Sequence, residues 1–428
     1  MDSNPVSISA YARLLRENRN YRLLWFAQVA SEIGDWFYSV AIYSLLLAYT
    51  GSARSVAIAF VLQVLPQFFM APAAGVLNDR LSRKQIMIFA DWMRAGIVLC
   101  MLLVRGPSMV WFLYLLLFCE TLMWALFEPG HGATIPNITE GPQTLVANTL
   151  ASTTWAFTFA VGFALGGPVA AFFGRETVFI LNSLSFVLSA SLISRMEFQE
   201  PHLENLPPVT LKELLGISSV VEGIRYVARD KRMLATVFVK AGLGCMGSNW
   251  VLLPIFGERV YPLRLGGLDA KKAGILSMSI LLGCRGLGSA MGPMIAGRFA
   301  HGNERRLRLG ILGGFLLAGL GYMLLGISQS LAAASAAVTL AHGGGSMVWV
   351  FSTTLLQMKT DDKFRGRVFS ADFAFSMLVL SSTNFTAGIL IDKGMDPHWI
   401  AIGTGLLTLV PAILWLAAQR LWKAVPAS

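Results

Sequence analysis

The sequence predicts an all-α integral membrane protein with twelve transmembrane helices. Of its 428 residues, 55% are hydrophobic and only 14% are charged, whereas soluble proteins carry roughly 25% charged residues. Apolar runs of about 20 residues recur from end to end, and each could cross a hydrocarbon core of roughly 30 Å. The stretches between these runs are too short to form a sizeable soluble domain. We therefore expect much of the surface to face lipid.

Twelve apolar segments are predicted to span the membrane. They are residues 22–49, 55–78, 85–104, 109–128, 149–173, 177–195, 233–257, 273–299, 308–327, 331–357, 368–391 and 398–419. An even number of spans puts both chain ends on the same side.

The four cysteines lie inside these runs without metal-ligand spacing, so neither a metal site nor a disulfide framework is predicted.

The basic residues decide which side holds the ends. With both ends in the cytoplasm, 23 of the 34 Lys and Arg fall in cytoplasmic segments, 8 in outer segments and 3 within the membrane. Because short loops rich in Lys and Arg stay cytoplasmic, this pattern predicts a multi-pass protein of the cytoplasmic (inner) membrane with both termini inside. The same topology accounts for the net charge of +10, so no nucleic-acid partner is expected.

A polar break divides the chain into two halves. We predict an N-terminal six-helix bundle at 1–196, a cytoplasmic connector at 197–232 and a C-terminal six-helix bundle at 233–428. Residues 211–230 of the connector show apolar residues at helical spacing, which predicts an amphipathic helix on the membrane surface. A partner-binding helix is the alternative interpretation of this segment.

The two halves are predicted to be pseudo-repeats. Residues 75–84 follow the second span, and residues 297–306 follow the eighth. A shift of 222 positions superposes glycine on glycine at the start and two basic pairs at the end. The second copy has His301 in place of an acid, so it is degenerate. Such repeats are typical of secondary transporter folds.

The loop after the second span contains the most specific motif. It resembles the G-x-L-x-D-R-x-G-R-K signature of the major facilitator superfamily, with Ser82 in place of the second glycine. The matching residues are Gly75, Asp79, Arg80, Arg83 and Lys84. A glycine lets two helices approach closely. Asp79 can accept hydrogen bonds from the N-terminus of a neighbouring helix, whose dipole favours an anion.

In that superfamily, the second arginine of the motif bridges to an acid that closes span four. Glu128 stands at that place here. The resemblance implies a conformational latch that holds the outward-facing state, made by the motif residues and Glu128. The alternative is a positively charged cytoplasmic loop with incidental spacing.

Further segments resemble the drug:proton antiporter branch, which includes macrolide-efflux proteins and the enterobactin exporter. They are residues 22–25, 34–36, 136, 145–148, 222–227 and 365–368. Gly162-x3-Gly166-Gly167-Pro168 partly resembles the antiporter motif of drug exporters and favours antiport over import. The resemblance covers the whole chain and implies the major facilitator fold. It does not identify a cargo, because this branch exports very different molecules.

Charged residues within the membrane are the second signal. Gln28, Glu32, Asp35 and Ser39 are spaced 4, 3 and 4 apart, which places them on one helical face. Glu120 lies near the middle of span four. Burying an ion in hydrocarbon costs about 2.5–3.5 kcal/mol or more, so such residues usually face a cavity and serve function.

We predict Asp35, Glu32 and Glu120 as proton-coupling candidates, Asp35 first because the family's Gly-Asp-Trp motif places it. The substrate-cavity candidates are Gln28, Trp36, Trp124, Lys240 and Arg285. In this interpretation the first half supplies acids at mid-depth and the second half supplies bases. Structural ion pairs between helices or halves are the alternative.

Four other polar residues are assigned structural roles. Asp91 and Arg94 are one turn apart near the cytoplasmic end of span three, which predicts a structural pair. Asp372 sits near the start of span eleven, where the latch would dock. His342 precedes three glycines in span ten and is interpreted as a packing residue.

Together these patterns predict a secondary transporter that works by alternating access around a central cavity. The expected activity is proton-coupled efflux of an amphipathic small organic molecule such as a drug, macrolide or siderophore. A lysophospholipid-type lipid transporter is one alternative, and a non-transporting sensor or scaffold on the same fold is another. No P-loop, metal-ligand cluster or nucleophile constellation occurs, so no enzyme activity, cofactor or metal is expected. Small-molecule substrate, protons and membrane lipids are the expected partners of a monomer.

Overall fold

The computed structural model describes residues 7–203, 225–264, 267–300 and 303–422. Within these ranges the chain is built from helices, and no strand occurs. The α-helices in chain order are α1 Ile8–Glu17, α2 Arg19–Thr50, α3 Ala53–Arg80, α4 Arg83–Cys100, α5 Val110–Ile138, α6 Pro142–Phe172, α7 Arg175–Ser194, α8 Lys231–Leu243, α9 Asn249–Ile255, α10 Ala270–Ala300, α11 Glu304–Gly326, α12 Leu331–Lys359, α13 Asp362–Asp392 and α14 Pro397–Ala418.

Polar residues at the helix starts explain where the apolar runs are divided. The Ser82 side chain accepts a hydrogen bond from the Gln85 amide at the start of α4. Ser330 does the same at the start of α12, and Asp396 at the start of α14. A side-chain acceptor satisfies one of the amides that a helix start leaves unpaired, so these residues fix the boundaries.

Eleven helical segments of the described chain are long and apolar enough to cross a membrane. They coincide with the predicted spans except the first, which corresponds to α2. That helix is 32 residues long, but it carries Gln28, Glu32 and Asp35, which lower its hydropathy. The all-helical membrane fold class is therefore confirmed. The first predicted span, which would bring the number to twelve, is supported by the length of α2.

The seventh predicted span is not a continuous α-helix. It consists of α8, a 3₁₀ segment at Gly244–Ser248, the short α9 and a π-helical turn at Phe256–Val260. Departures of this kind inside a helix often mark functional positions. Hydropathy alone treats the whole stretch as one apolar run, so it could not reveal the interruptions.

The chain forms two compact units. The first is Met1–Leu45 with Leu62–Gly216, and the second is Leu46–Val61 with Ile217–Ser428. The end of α2 and the first residues of α3 thus group with the second unit, which the sequence did not indicate. The three-part division at 1–196, 197–232 and 233–428 stays a prediction. The predicted connector helix at 211–230 lies largely outside the described residues, as does His301.

Each unit has its own apolar core. In the first unit, Leu14 of α1 and Tyr21 and Leu24 of α2 belong to a buried cluster. The Tyr21 hydroxyl donates to the carbonyl of Ala147, 2.7 Å away on α6, which satisfies this buried polar group. In the second unit, Phe315 packs in a cluster that brings together α11, α12 and α14.

Candidate functional site

Arg94 of α4 lies among three carboxylates. Its Nη2 is 2.6 Å from Asp35 Oδ2 of α2, and its Nε is 2.8 Å from Glu120 Oε1 of α5. Its Nη1 is 3.7 Å from Asp91 Oδ1, one turn earlier on α4. Arg94, Asp91 and Glu120 are buried, and Asp35 is largely so. We call these four residues the Arg94 cluster, and all of them belong to the first unit.

Neighbouring side chains keep this cluster apart from solvent. The Arg94 guanidinium lies over the Phe186 ring of α7, 4.0 Å from its centroid. The Tyr38 hydroxyl donates to Glu120 Oε2 over 3.2 Å. A cation over an aromatic face and a phenol on a carboxylate are both favourable contacts at a desolvated site. The cluster therefore combines specific pairing with a low local dielectric.

The charges in the cluster do not balance. Three carboxylates and one guanidinium carry a formal charge of −2 when all are ionised. A net charge is costly in a medium of low dielectric. The excess of carboxylates over cations therefore makes this cluster a candidate for proton exchange.

Glu32 lies on the same helix but outside this cluster. Gln28 Nε2 donates to its Oε1 over 2.8 Å, and Thr158 Oγ1 of α6 donates to its Oε2 over 2.6 Å. Both partners are neutral. Gln28 Nε2 also contacts the Ala151 carbonyl over 3.2 Å, which ties this face of α2 to α6. The structure therefore separates two of the predicted proton-coupling candidates, Glu32 and Asp35, into different environments.

Trp36 shows how α2 and α6 are held together. Its ring centroid is 4.5 Å from that of Phe159 and 5.7 Å from that of Trp155. A Cβ added at Gly162 would lie 2.6 Å from Trp36 Cβ, and one added at Gly166 would lie 2.6 Å from the Phe37 carbonyl oxygen. The small residues of the antiporter-like motif thus allow α6 to approach the helix that carries Asp35.

The second unit contains a simpler arrangement. Lys240 Nζ of α8 is 2.5 Å from Asp372 Oδ2 of α13, and both side chains are buried. The Lys240 ammonium lies 4.6 Å from the Trp349 ring centroid. One cation faces one anion, so this pair is already neutral.

Two further predicted residues of this unit lie elsewhere. The Arg285 guanidinium lies over the Trp250 ring at 3.8 Å. His342 and the Tyr322 hydroxyl are joined by a hydrogen bond of 2.9 Å, with His342 Nε2 as the ring atom. Both residues of that bond are buried, which agrees with the packing role predicted for His342.

The structure places these buried ion pairs between helices of the same unit. Arg94 pairs with Asp35 and Glu120 within the first unit, and Asp372 pairs with Lys240 within the second. Ion pairs between helices or halves were the alternative interpretation of the intramembrane charges, and the proton-coupling and cavity roles stay predictions. Asp91 and Arg94 are not an isolated structural pair, because α2 and α5 bring two more acids to the same guanidinium. One feature of the sequence could have pointed to this cluster: Arg94 is one of three basic residues predicted to lie within the membrane.

The motif loop after α3 has partners other than those expected. Arg83 Nη2 is 3.6 Å from Asp79 Oδ1, and its Nη1 donates to the Ala133 carbonyl over 3.1 Å. Glu128 is exposed and is not among these partners, because Arg83 meets α5 five residues further along. A Cβ at Gly75 would meet nothing within 4 Å, so the expected close approach does not occur at this glycine. The latch stays a prediction.

Glu200 was missed by sequence reasoning. Ser82 Oγ donates to Glu200 Oε2 over 2.5 Å, and the Arg83 amide donates to Oε1 over 2.7 Å. Lys84 Nζ reaches the Met196 carbonyl over 2.6 Å. The serine that departs from the family motif thus joins the start of α4 to the segment after α7. An acid at a helix start is favoured by the helix dipole.

Comparison with known proteins agrees with this architecture. Residues 8–425 match the family described as transmembrane secretion effector. Macrolide efflux protein A of Streptococcus pyogenes is 24% identical over 91% of this chain and 94% of its own length. The uncharacterized MFS-type transporter YfiS of Bacillus subtilis is 25% identical over 92% and 90%. The match to YkuC of the same organism, at 24% identity, spans 57% of that protein.

Solved structures share the fold at low sequence identity. A crystal structure of a POT family transporter in complex with 5-aminolevulinic acid has a TM-score of 0.73 at 12% identity. The alignment covers 94% of this chain and 97% of that one.

Proposed function

We propose that this chain is a proton-coupled exporter. The proposal starts from its membership of the transmembrane secretion effector family of the major facilitator superfamily. Membership makes it a multi-pass membrane transporter, and transporters of this kind move small molecules. The coupling ion, the direction and the cargo are our inference. Export is supported by the likeness to macrolide efflux protein A, which covers nearly all of both chains.

The observation that carries the coupling proposal is the Arg94 cluster. Asp35, Asp91 and Glu120 compete for one guanidinium inside the first unit. Such competition lets the cluster change its proton content when one carboxylate moves by a small distance, because Arg94 can then transfer its pairing to another. Among the described residues, Lys240 pairs with the single carboxylate of Asp372.

Asp35 is proposed as the carboxylate that exchanges protons with the transport path. Its side chain is 18% exposed, whereas that of Asp91 is fully buried. In the proposed cycle, a proton that enters from outside neutralises Asp35 and frees Arg94 for Glu120 and Asp91. Cargo is released outside, and the protonated carrier returns to face the cytoplasm. Proton loss to the cytoplasm then restores the Asp35–Arg94 bond and readies the carrier for the next cargo molecule.

The test is proton-driven efflux in proteoliposomes with Asp35→Asn and Glu120→Gln. We expect each variant to lose at least about tenfold of the gradient-driven rate, because a tenfold change corresponds to only about 1.4 kcal/mol of altered pairing. Cargo-stimulated proton movement, measured with a trapped pH dye, should fall in parallel. Efflux down the cargo's own concentration gradient should persist.

Glu32→Gln provides the matched control. It changes an acid on the same face of α2 whose two hydrogen-bond partners are neutral. We expect its proton coupling to stay within about threefold of wild type. Intact gradient-driven efflux in both Asp35→Asn and Glu120→Gln would refute the coupling assignment, and selective loss in Glu32→Gln would move it to Glu32.

The proposed cargo is an amphipathic small organic molecule such as a drug, macrolide or siderophore. The aromatic groups of α2 and α6 around Trp36 offer apolar contact surface for such a molecule. A thermal-shift screen with members of each class, followed by efflux assays of those that stabilise the protein, identifies the class. Uptake of labelled lysophospholipid without a proton gradient would instead establish a lipid transporter.

Location and topology complete the proposal. The distribution of Lys and Arg supports insertion in the inner membrane with both termini cytoplasmic. A C-terminal fluorescent protein that folds only in the cytoplasm should be bright, and an alkaline phosphatase fusion at the same position should be inactive. Light scattering of the detergent-solubilised protein is expected to give the mass of a monomer.

A further inference from the structure

We propose that α1 is a membrane-surface helix that binds anionic phospholipid through Arg13 and Arg16. The site lies wholly within the first unit, where α1 packs against the ends of helices that are long and apolar enough to cross a membrane. It requires only that α5 and α6 span the membrane, and it does not depend on proton coupling or on the direction of transport.

α1 is held at the level where the membrane helices end and begin. Its buried Leu14 belongs to the same apolar cluster as Ile138, the last residue of α5, and Ala147, near the start of α6. Asn18, which follows α1, donates from Nδ2 to the Ile138 carbonyl over 2.6 Å. Because α5 and α6 are both candidate membrane spans, these contacts place α1 at the boundary between hydrocarbon and water.

The junction between α1 and α2 is fixed by side chains. The backbone of Asn18 is extended, with φ −100° and ψ 100°, so α1 is not a continuation of α2. The Asn18 side chain accepts a hydrogen bond of 2.9 Å from the Tyr21 amide. Arg22 Nη1 donates to the Leu15 and Arg16 carbonyls over 2.9 and 3.1 Å, which satisfies carbonyl groups at the end of α1. α1 is therefore a separate helix in a defined position.

α1 has three faces of different character. Leu14 lies on the face that packs into the protein. Ile8 and Ala12 form an exposed apolar edge, and Ile8 is 86% exposed. Arg13 and Arg16 are also exposed. Spacings of three and four residues place each pair on one side of the helix. An exposed apolar edge beside a basic edge is the arrangement expected of a helix that lies in a membrane interface.

The charge of the basic edge specifies the lipid. A guanidinium forms paired, charge-assisted hydrogen bonds with a phosphate group, and anionic headgroups attract basic residues next to a membrane helix. Glu17 follows Arg13 by one turn, but the exposed charged residues of α1 keep a net positive charge. The apolar edge at Ile8 gains nothing from a soluble anion. The partner is therefore a phospholipid of the bilayer with a negatively charged headgroup.

The experiment measures which lipids surround Ile8. The four native cysteines are replaced, and Ile8→Cys carries an environment-sensitive fluorophore in the full-length protein. Phosphatidylcholine vesicles contain the protein and a small, equal fraction of nitroxide-labelled phosphatidylglycerol or nitroxide-labelled phosphatidylcholine, which quenches the fluorophore. We expect phosphatidylglycerol to bind at least about fivefold more tightly, because one basic residue near an anionic surface contributes roughly that factor. High salt should reduce this preference.

Two double variants test the assignment to Arg13 and Arg16. Arg13→Gln with Arg16→Gln removes the basic edge and should lower the preference for phosphatidylglycerol to within about twofold. Arg105→Gln with Lys393→Gln removes the same charge from exposed residues in other loops and should leave the preference unchanged. All four side chains are exposed, so thermal unfolding in detergent should be unaffected in both variants.

Each other outcome contradicts a particular part of the proposal. Equal quenching by the two labelled lipids overturns the selectivity for an anionic headgroup. A fluorophore that aqueous iodide quenches and neither lipid does overturns the contact with the bilayer. An unchanged preference in Arg13→Gln with Arg16→Gln refutes this site, and loss of the preference in free phosphate at constant ionic strength would show that it takes a soluble anion. Quenching is measured without cargo or a proton gradient, so its outcome is independent of the coupling proposal.

Discussion

The two units treat buried charge differently. In the first, Arg94 lies within 4 Å of Asp35, Asp91 and Glu120. In the part of the second unit that the structure describes, Lys240 pairs with one carboxylate, that of Asp372. The lysine pair is neutral as it stands and has nothing to gain from a proton. The Arg94 cluster holds three carboxylates around one guanidinium. Under the proposed function, proton exchange belongs to the first unit and the lysine pair has a structural role.

Loss of the central cation gives the largest expected effect. Arg94→Met leaves three carboxylates without their cation, and Lys240→Met leaves one. Removal of one member of a buried ionic group costs about 3–5 kcal/mol, and we expect Arg94→Met at the upper end and Lys240→Met at the lower. Thermal unfolding in detergent compares the two. Greater destabilisation by Lys240→Met would reverse the comparison.

A double variant tests whether Arg94 and Glu120 belong to one electrostatic site. Adding Glu120→Gln to Arg94→Met removes one of the carboxylates left unpaired, and should restore about 1–3 kcal/mol of stability. The same change in the wild-type background removes a negative charge beside Arg94 and leaves only an amide oxygen as acceptor, so it should destabilise. A double-mutant cycle on the free energy of unfolding measures the difference. Strictly additive effects would show that the two residues do not share one electrostatic site.

The packing that positions the cluster should also be sensitive. Gly166→Ala would place a methyl group 2.6 Å from the Phe37 carbonyl oxygen and push α6 away from α2. Overpacking of this kind costs about 1–3 kcal/mol and should also reduce coupled efflux. Gly132→Ala on α5 is the control, because a Cβ there meets nothing within 4 Å. Equal melting temperatures for the two variants would argue against a tight α2–α6 contact.

The smallest effect is expected where charge is already balanced. Replacing both members of the lysine pair, as Lys240→Met with Asp372→Leu, should change stability by no more than about 1 kcal/mol, because an apolar pair avoids the cost of desolvating two ions. Proton-coupled efflux should remain within about threefold of wild type. Loss of coupling in this double variant would show that the second unit also takes part in proton exchange.

The individual contacts explain which predictions from the sequence succeeded. Span positions depend on the length and polarity of local runs, so eleven of them coincide with suitable helices. α2 is the informative exception, since one of the residues that lower its hydropathy, Asp35, belongs to the Arg94 cluster. The glycines at 162 and 166 were correctly interpreted as close-packing residues, because that property depends on side-chain size alone.

The partner of Arg83 and the role of Glu200 could not be read from the sequence. Arg83 bonds to a backbone carbonyl, which any residue could supply at that position. Glu200 lies in a polar stretch where nothing distinguishes it from neighbouring acids. Its partners are backbone and side-chain donors of residues 82 and 83, more than a hundred residues away.

The sequence by itself determined the fold class and the helices that carry buried charge. Both follow from the free energy of placing each side chain in lipid or water, which is a local property. Only the tertiary structure decided which charges meet. Arg94 reaches an acid 59 residues before it and another 26 residues after it, while Lys240 reaches one 132 residues away. Those encounters depend on how each helix is rotated and packed, and no single run of sequence encodes that.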